Sequence, residues 1–524
     1  MKATTMLALA GTAIAADMPS ITMKGSKFFY PNGTQFFMKG VAYQREYTGG
    51  SHSTRATGSS KQYTDPLSDK KTCERDIPLL AELGTNTIRT YAIDPDANHD
   101  DCMKLLQQHN IYVVSDLSEP QTSINRDQPA WNLHLYERYT KVIDAMSKYP
   151  NVIGFFAGNE VSNNATNTPA SAYVKAAVRD SKAYIKKNSK RWMGVGYAAN
   201  DDKAIRAEMA DYFNCGNSDE SIDFWGYNIY SWCGTNTMKG SGYSDQVDFF
   251  KDYNVPVFFA EYGCNEPSGA EGRIFQETEA LYSKEMTDVF SGGIVYMFHQ
   301  EANDYGLVKI DGDKASKMKN FGALKKQVLK ADPKGVSQND YKPSGKARSC
   351  PAIGKAWKAA SGLPPSPDKD LCDCMMKSLE CTIDSDLDEK SYGELFGNIC
   401  AHNNPACAGI AAKPELGNYG AYGMCKPDQQ LAYVLDSYYK KNGKTAKACA
   451  WKGAKLQSAS SVSGECQKRI DAAEKTNKDV ASATSAISPS KTGSGDKDNA
   501  AIRGAPATGL AIGAAALAGA VFAL

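Results

Sequence analysis

The chain has almost no net charge and lacks the features that would tie it to a polyanion, a metal or a nucleotide. Its 524 residues carry 60 basic and 59 acidic side chains and a formal charge of +1, with no Lys/Arg cluster, so a nucleic-acid partner is not expected. Histidine is scarce, at six residues. None stands at ligand intervals from the cysteines, among which Cys372-x-Cys374 is the only near pair, so a zinc site fails on spacing. No metal or organic cofactor is expected. No Gly-rich phosphate turn follows any of the short apolar runs, which argues against an open nucleotide-binding sheet. The apolar C-terminal stretch, residues 510–524, falls short of the ~20 residues that a membrane span needs.

Both ends read as addresses rather than fold. Residues 1–16 pair a lysine and a short apolar stretch with Ala13-Ile14-Ala15-Ala16, the pattern of a cleaved secretion signal. At the far end a polar spacer and the small triplet Asn499-Ala500-Ala501 precede the Ala/Gly-rich tail. That is the layout of a glycosylphosphatidylinositol attachment signal, with attachment at Asn499 and removal of residues 500–524. The expected location is outside the cell, at the outer face of the plasma membrane or in a wall. Fourteen cysteines suit that oxidising compartment, and seven disulfides are expected. Sequons at Asn32 and Asn164 are candidate glycan sites.

From about residue 20 to 350, short apolar runs alternate with helix-like stretches, the signature of strand-helix units around a parallel sheet. Candidate strands lie at 36–43, 87–91, 112–117, 152–158, 192–198, 224–229, 255–261 and 293–297, enough for a (β/α)₈ barrel with long loops. Leu133, Tyr136, Tyr139, Val142, Ile143 and Met146 recur at helical spacing and predict a helix packed on the barrel wall. The catalytic domain is assigned to 17–360. A Pro-rich stretch, 361–369, is read as a linker. Residues 370–467 hold eight cysteines and are expected to form a small, mainly helical, disulfide-rich module. Residues 468–499 are assigned to a Ser/Thr-rich stalk that cannot pack a core.

Two glutamates end apolar runs: Glu160 in Ile-Gly-Phe-Phe-Ala-Gly-Asn-Glu and Glu261 in Val-Phe-Phe-Ala-Glu-Tyr-Gly. A run buried on both faces is a parallel-sheet strand, and its C-terminal end is where such barrels do chemistry. One Glu after a strand is ordinarily a salt-bridge or solvated carboxylate; two on one rim point to glycoside chemistry. Asn159 adds an amide able to bind a sugar hydroxyl beside the acid. Tyr262 adjoins Glu261, but neighbours in a strand point opposite ways, so adjacency does not place it in the site.

Six segments carry a resemblance that covers nearly the whole chain: Gly40-Val-Ala-Tyr-Gln44, Ile88-Arg-Thr-Tyr91, Phe156-Ala-Gly-Asn-Glu160, Phe224-Trp-Gly-Tyr-Asn-Ile-Tyr-Ser-Trp-Cys233, Phe259-Ala-Glu-Tyr-Gly-Cys264 and Gln300-Glu-Ala-Asn-Asp-Tyr-Gly-Leu307. The chain resembles the fungal cell-wall β-1,3-glucanosyltransferases of glycoside hydrolase family 72, and 370–467 resembles carbohydrate-binding module family 43. The resemblance implies Glu160 as acid/base and Glu261 as nucleophile, with Tyr230 bonded to the nucleophile. It implies Gln44, Tyr91, Asp116 and Asn159 along donor subsites, and Tyr296 and Tyr305 as aromatic platforms on the acceptor side. For His299 no role beyond packing is expected. It implies disulfides Cys73–Cys102, Cys233–Cys264 and Cys215–Cys350. Within the module it favours Cys372–Cys425, Cys374–Cys466, Cys381–Cys449 and Cys400–Cys407, although spacing alone leaves the connectivity open.

The implied activity is a retaining transfer: cleavage of an internal β-1,3-glucan bond and passage of the new end to a second chain. It needs glucan donor and acceptor chains, and a monomer is expected. A raised pKa at Glu160, from an apolar surround of Phe155 and Phe156, is the expectation for the acid. Two rivals remain at this stage: a mainly hydrolytic endo-β-1,3-glucanase sharing the same intermediate, and a non-catalytic glucan-binding wall protein. Whether the cysteine-rich module binds glucan or braces the barrel is equally open in the sequence.

Overall fold

The computed structural model describes residues 18–45, 63–384, 387–401 and 405–485; the signal segment, Asn499 and the C-terminal tail lie outside them. Eight parallel strands close into a barrel: β1 (Met38–Ala42), β2 (Thr87–Thr90), β3 (Tyr112–Asp116), β4 (Val152–Asn159), β5 (Gly194–Ala199), β6 (Phe224–Asn228), β7 (Val257–Tyr262) and β8 (Phe290–Val295), with β8 pairing back onto β1. Helices fill the connections: α1 (Lys70–Glu82), α2 (Asp100–Gln108), α3 (Leu133–Ser147), α4 (Ala170–Asn188), α5 (Arg206–Asn214), α6 (Tyr243–Phe250), α7 (Gln276–Leu281) and α8 (Lys319–Lys330). Sequence chemistry sets their starts. Asp69 and Asn132 each accept a backbone N–H of the first turn, from Thr72 and Leu135, and so cap α1 and α3.

The barrel interior is packed rather than open. Phe156, Phe224 and Phe258 meet edgewise or tilted with ring centroids 5.3–6.0 Å apart. Phe28 enters from below, 6.3 Å from Phe224 and 6.2 Å from Phe258. It comes from an antiparallel sheet of Thr22–Lys24, Lys27–Phe29 and Gln35–Phe36. Gly226 makes the room: a Cβ there would stand 2.6 Å from the Phe156 ring. The expected strand 36–43 is therefore two elements, because Phe36 bonds into this lower sheet and the barrel strand starts at Met38. The eighth strand begins at Phe290, three residues before the expected start.

Residues 361–368 are not free chain. Arg179 donates to the Pro364 carbonyl at 3.0 Å and Ser366 donates to Asp180 at 2.6 Å, tying the segment to α4. Trp357 just before it is fully buried, 5.0 Å from the Tyr212 ring. The module that follows contains α9 (Lys369–Lys377), α10 (Tyr392–Ile399), α11 (Pro427–Lys441), α12 (Gly464–Ser485) and two short antiparallel strand pairs, Cys381–Ile383 with Ala454–Leu456 and Ala412–Lys413 with Asn418–Tyr419. Four disulfides cross it: Cys372–Cys425, Cys374–Cys466, Cys381–Cys449 and Cys400–Cys407. Cys73–Cys102, Cys215–Cys350 and Cys233–Cys264 cross the barrel domain.

Two features differ from expectation here. The first part of the assigned stalk is helical: Ala473, Asn477 and Val480 are buried at spacings of four and three, and Asn477 accepts the Ala421 N–H at 2.9 Å. The Ser/Thr content hid a one-sided stripe. Second, the start of α3 faces the module rather than only the barrel wall. Leu133 sits in the module core, its N–H donating to the Met424 carbonyl at 2.9 Å, and Lys426 pairs with Glu137 at 3.0 Å. Tyr419 of the module packs 5.8 Å from Tyr173 of α4. The geometry is that of a brace. Among the described residues no helix is long and apolar enough to cross a membrane.

Candidate active site

Glu261 is the penultimate residue of β7, and Glu160 follows the last residue of β4, so both stand at the C-terminal mouth of the barrel. One residue joins them. Asn228, at the end of β6, is the sheet neighbour of Glu261, and its Nδ2 donates to Glu160 Oε1 at 2.8 Å and to Asn159 Oδ1 at 3.0 Å. Glu160 has φ of +49°, a left-handed conformation that costs a non-glycine residue about 1–3 kcal/mol. Its N–H donates to the Ala198 carbonyl of β5 and its carbonyl accepts from Arg126, each at 2.8 Å, which hold the turn.

Glu261 accepts three donors: Tyr230 Oη at 2.7 Å on Oε2, with Tyr91 Oη at 2.8 Å and Arg89 Nη1 at 3.2 Å on Oε1. Burial and the adjacent carboxylate raise Tyr230 well above the ordinary tyrosine range; burial does the same for Tyr91. Both hydroxyls therefore stay protonated and donate. Burial pushes the Glu261 carboxyl up to about 7, Glu160 adds to the rise, and Arg89 and the two tyrosines oppose it.

That shift has a sign for stability. Between the ordinary value of 4.5 and about 7 the folded chain keeps a proton that the unfolded chain has released, so stability falls as pH rises through this window. The full cost, about 3 kcal/mol, is present above pH 7. Glu261→Gln is expected to raise Tm by several degrees at pH 8 and to leave it near wild type at pH 4, as differential scanning calorimetry at the two pH values would show. Equal gains at both would contradict it.

Arg89 organises the floor of the site. It is fully buried in β2, pairs with Asp116 of β3 through Nε at 3.0 Å and Nη2 at 3.1 Å, and donates to Asn159 Oδ1 at 2.9 Å. Its guanidinium lies 4.2 Å from the Tyr91 ring centroid and 4.5 Å from that of Phe156. Burial opposes the charge, but Asp116, Tyr91 and Glu261 outweigh it and hold the guanidinium protonated.

The structure thus gathers Asn159, Glu160, Tyr91, Tyr230 and Glu261 in one network, and the rings of Tyr296 and Tyr305 stand 6.4 and 5.6 Å from Tyr230. Two residues expected along donor subsites do other work. Asp116 is buried behind Arg89. Gln44 accepts the Tyr91 and Ala92 N–H groups at 3.0 and 3.2 Å and donates to the Thr64 carbonyl at 2.6 Å, so its amide is spent on backbone. The apolar surround expected for Glu160 is also absent, since Phe155 packs outward, Phe156 fills the barrel interior and Glu160 is half-exposed. His299 does more than pack: its ring bonds to Asp76 at 3.0 Å and to the Gln44 carbonyl at 3.1 Å, supporting the β1 exit. Tyr262 points away from the site, bonded to Thr278 at 3.1 Å.

Arg89 and Asn228 were missed. The signals were present: an arginine inside a strand buried on both faces needs a carboxylate, and Asn228 ends its run much as Asn159 does. Among the described residues no group of acidic, His or Cys side chains could hold a metal ion.

Residues 10–332 match the family described as glucanosyltransferase, glycoside hydrolase family 72, and residues 379–456 match the X8 domain. A 1,3-beta-glucanosyltransferase of Arthroderma benhamiae is 53% identical over 485 residues, covering 89% of this chain and 88% of that protein. The gas1 1,3-beta-glucanosyltransferase of Schizosaccharomyces pombe is 42% identical over 483 residues, covering 92% and 85%. Saccharomyces cerevisiae Gas2p, solved as a glutamate-to-glutamine variant with laminaritetraose and laminaripentaose, superposes with a TM-score of 0.77 at 41% identity, covering 87% of this chain and 99% of that one. With a family match over more than half its length and relatives this similar along most of it, the chain belongs to the glucanosyltransferase family, glycoside hydrolase family 72.

Proposed function

We propose that this protein is a 1,3-β-glucanosyltransferase that works by retaining double displacement, with Glu261 as nucleophile and Glu160 as acid/base. The observation that carries the assignment is the unequal environment of the two carboxylates. Glu261 is buried and receives three donors, so its oxygens are fixed and its negative charge is met on one side, as a nucleophile requires. Glu160 is half-exposed and held by a single amide, free to exchange a proton with a departing or arriving oxygen.

In the first step Glu261 attacks the anomeric carbon of an internal β-1,3-linked glucose while Glu160 gives its proton to the leaving oxygen. The bond to the reducing-end fragment breaks and a glucosyl ester on Glu261 forms. In the second, Glu160 takes the proton from the 3-hydroxyl of another glucan chain, whose oxygen displaces Glu261 and makes a new β-1,3 bond. Asn159, its oxygen taken by Arg89 and Asn228, offers its amide N–H to a sugar hydroxyl beside the acid. Tyr296 and Tyr305 supply ring faces for the incoming chain.

Incubation with a reduced laminari-oligosaccharide and sizing of the products tests this reading. Products longer than the substrate are expected. Only shorter ones would make the protein the hydrolytic rival. The terminal sequences further support attachment to the outer face of the plasma membrane by a glycosylphosphatidylinositol anchor, and the sequons at Asn32 and Asn164 support glycans there. The protein acts as a monomer on this reading. Release from membranes by a phosphatidylinositol-specific phospholipase checks the anchor.

A further inference from the structure

Tyr296 ends the β8 exit and Tyr305 lies in the loop beyond it; their rings are 5.3 Å apart and both pack against Tyr230, which holds Glu261. One buried residue reaches the backbone under both. Arg273, 5% exposed, donates through Nη1 to the Tyr296 carbonyl at 2.6 Å and the Gly263 carbonyl at 3.3 Å. Through Nη2 it donates to the Gly306 carbonyl at 3.0 Å and to that of Tyr305. Its Nε faces the Ala270 carbonyl at 3.4 Å, and its plane lies 4.8 Å from the Phe275 ring.

Such a use of arginine is unusual. Its donor groups all go to main-chain carbonyls, and Glu277 and Asp304 act on it at a distance rather than as direct partners. Burial lowers its pKa to about 10, still far above neutrality. A buried charge without a contact carboxylate costs several kcal/mol, and here that cost supports a fork that joins the β7 exit to two points of the β8 exit. Asn265 grips the same loop from the side, donating through Nδ2 to the Asp304 carbonyl at 2.8 Å and the Asn303 carbonyl at 3.3 Å.

We propose that Arg273, assisted by Asn265, is a positioning residue that sets the partition of the glucosyl-enzyme between transfer and hydrolysis, by fixing the backbone beneath Tyr296 and Tyr305. The inference rests on the transferase reading above. An acceptor sugar needs both ring faces at a fixed offset from the ester carbon, because near-attack geometry must be held to within a fraction of an ångström. Water needs neither ring. Loosening the fork therefore penalises transfer and spares hydrolysis. Arg89, Tyr91 and Glu160 belong to β2, the β2 exit and the β4 exit, which the fork does not hold, whereas Glu261 precedes the held Gly263 by two residues.

The test uses a β-laminari-oligosaccharyl fluoride, whose small leaving group occupies no acceptor subsite, so the initial burst of fluoride release reports formation of the glucosyl-enzyme alone. In Arg273→Lys, which keeps the charge but loses the planar fork, fluoride release is expected to stay within about threefold of wild type. The ratio of elongated to hydrolysed product is expected to fall about tenfold, equivalent to ~1.4 kcal/mol on the transfer step. Asn265→Ala, less exposed to a folding failure, is expected to shift the ratio in the same direction by a smaller factor. An unchanged ratio in both variants, or a ratio that changes only in step with fluoride release, overturns the proposal. If wild type itself yields no elongated product, the transferase reading fails and this inference with it.

Discussion

Glu160→Gln is expected to abolish cleavage and transfer on laminari-oligosaccharides, with kcat/KM lower by about 10²–10⁴-fold, while a single-turnover burst of fluoride from a β-laminari-oligosaccharyl fluoride remains. A sugar oxygen leaves as a strong base unless protonated, whereas fluoride needs no proton, so only the first substrate depends on the acid. The second step then stalls for want of a base, and the glucosyl ester on Glu261 accumulates. Mass spectrometry of the intact variant after the fluoride substrate should show that adduct. The amide keeps a group of the same size beside Asn228, so loss of fold does not explain the loss of activity. Wild-type processing of laminari-oligosaccharides by the variant would remove Glu160 from its role.

The same substitution separates the two carboxylates electrically. Glu160 is one of the causes that raise Glu261, so in Glu160→Gln the pKa of Glu261 is expected to drop below about 7. The residues alone put the burial-raised carboxyl at Glu160, whereas burial raises that of Glu261. Phe155 and Phe156 precede Glu160, but alternation along β4 sends one to the helices and one to the barrel interior, and the turn at φ +49° swings the carboxylate out toward Asn228.

What was legible in the chain was whatever local order determines. Apolar runs of five or six residues mark barrel strands whatever surrounds them, and the pair of strand-end glutamates follows from that pattern. The β1 boundary was not legible, because Phe36 leaves the barrel only by pairing with Phe28 in a separate sheet. Neither was α12: Ala473, Asn477 and Val480 form a stripe only when the partner surface around Tyr433 and Ala421 is present. Arg89 is the clearest case. Its partners Asp116 and Glu261 lie 27 and 172 residues away in sequence, so Thr-Ile-Arg-Thr reads as a strand with an odd residue until the barrel closes. Gln44 and Asp116 show the converse. Their residue types suit a sugar, yet each is already committed to neighbours that the chain order does not reveal.

Arg89→Met is expected to lose both stability and activity, and for separable reasons. Removing one partner of a buried pair leaves Asp116 charged and uncompensated at a site with 3% side-chain exposure, at a cost of about 3–5 kcal/mol. Thermal unfolding should show a large fall in Tm. Replacing Asp116 by Leu in the same chain removes the orphaned charge, so the double variant is expected to recover most of that Tm. Activity should not return with it. Arg89 lowers the Glu261 pKa and holds Oε1 and Asn159 in register; without it Glu261 binds its proton more tightly and the anion needed for attack becomes scarcer. The acid limb of kcat/KM should therefore move to higher pH in both the single and the double variant, with the plateau lowered by about 10²-fold or more through lost positioning. Had Arg89 been merely a structural tie to Asp116, the stabilised double variant would regain the wild-type pH profile; a profile that stays shifted after the fold is restored assigns Arg89 to the electrostatics of the nucleophile.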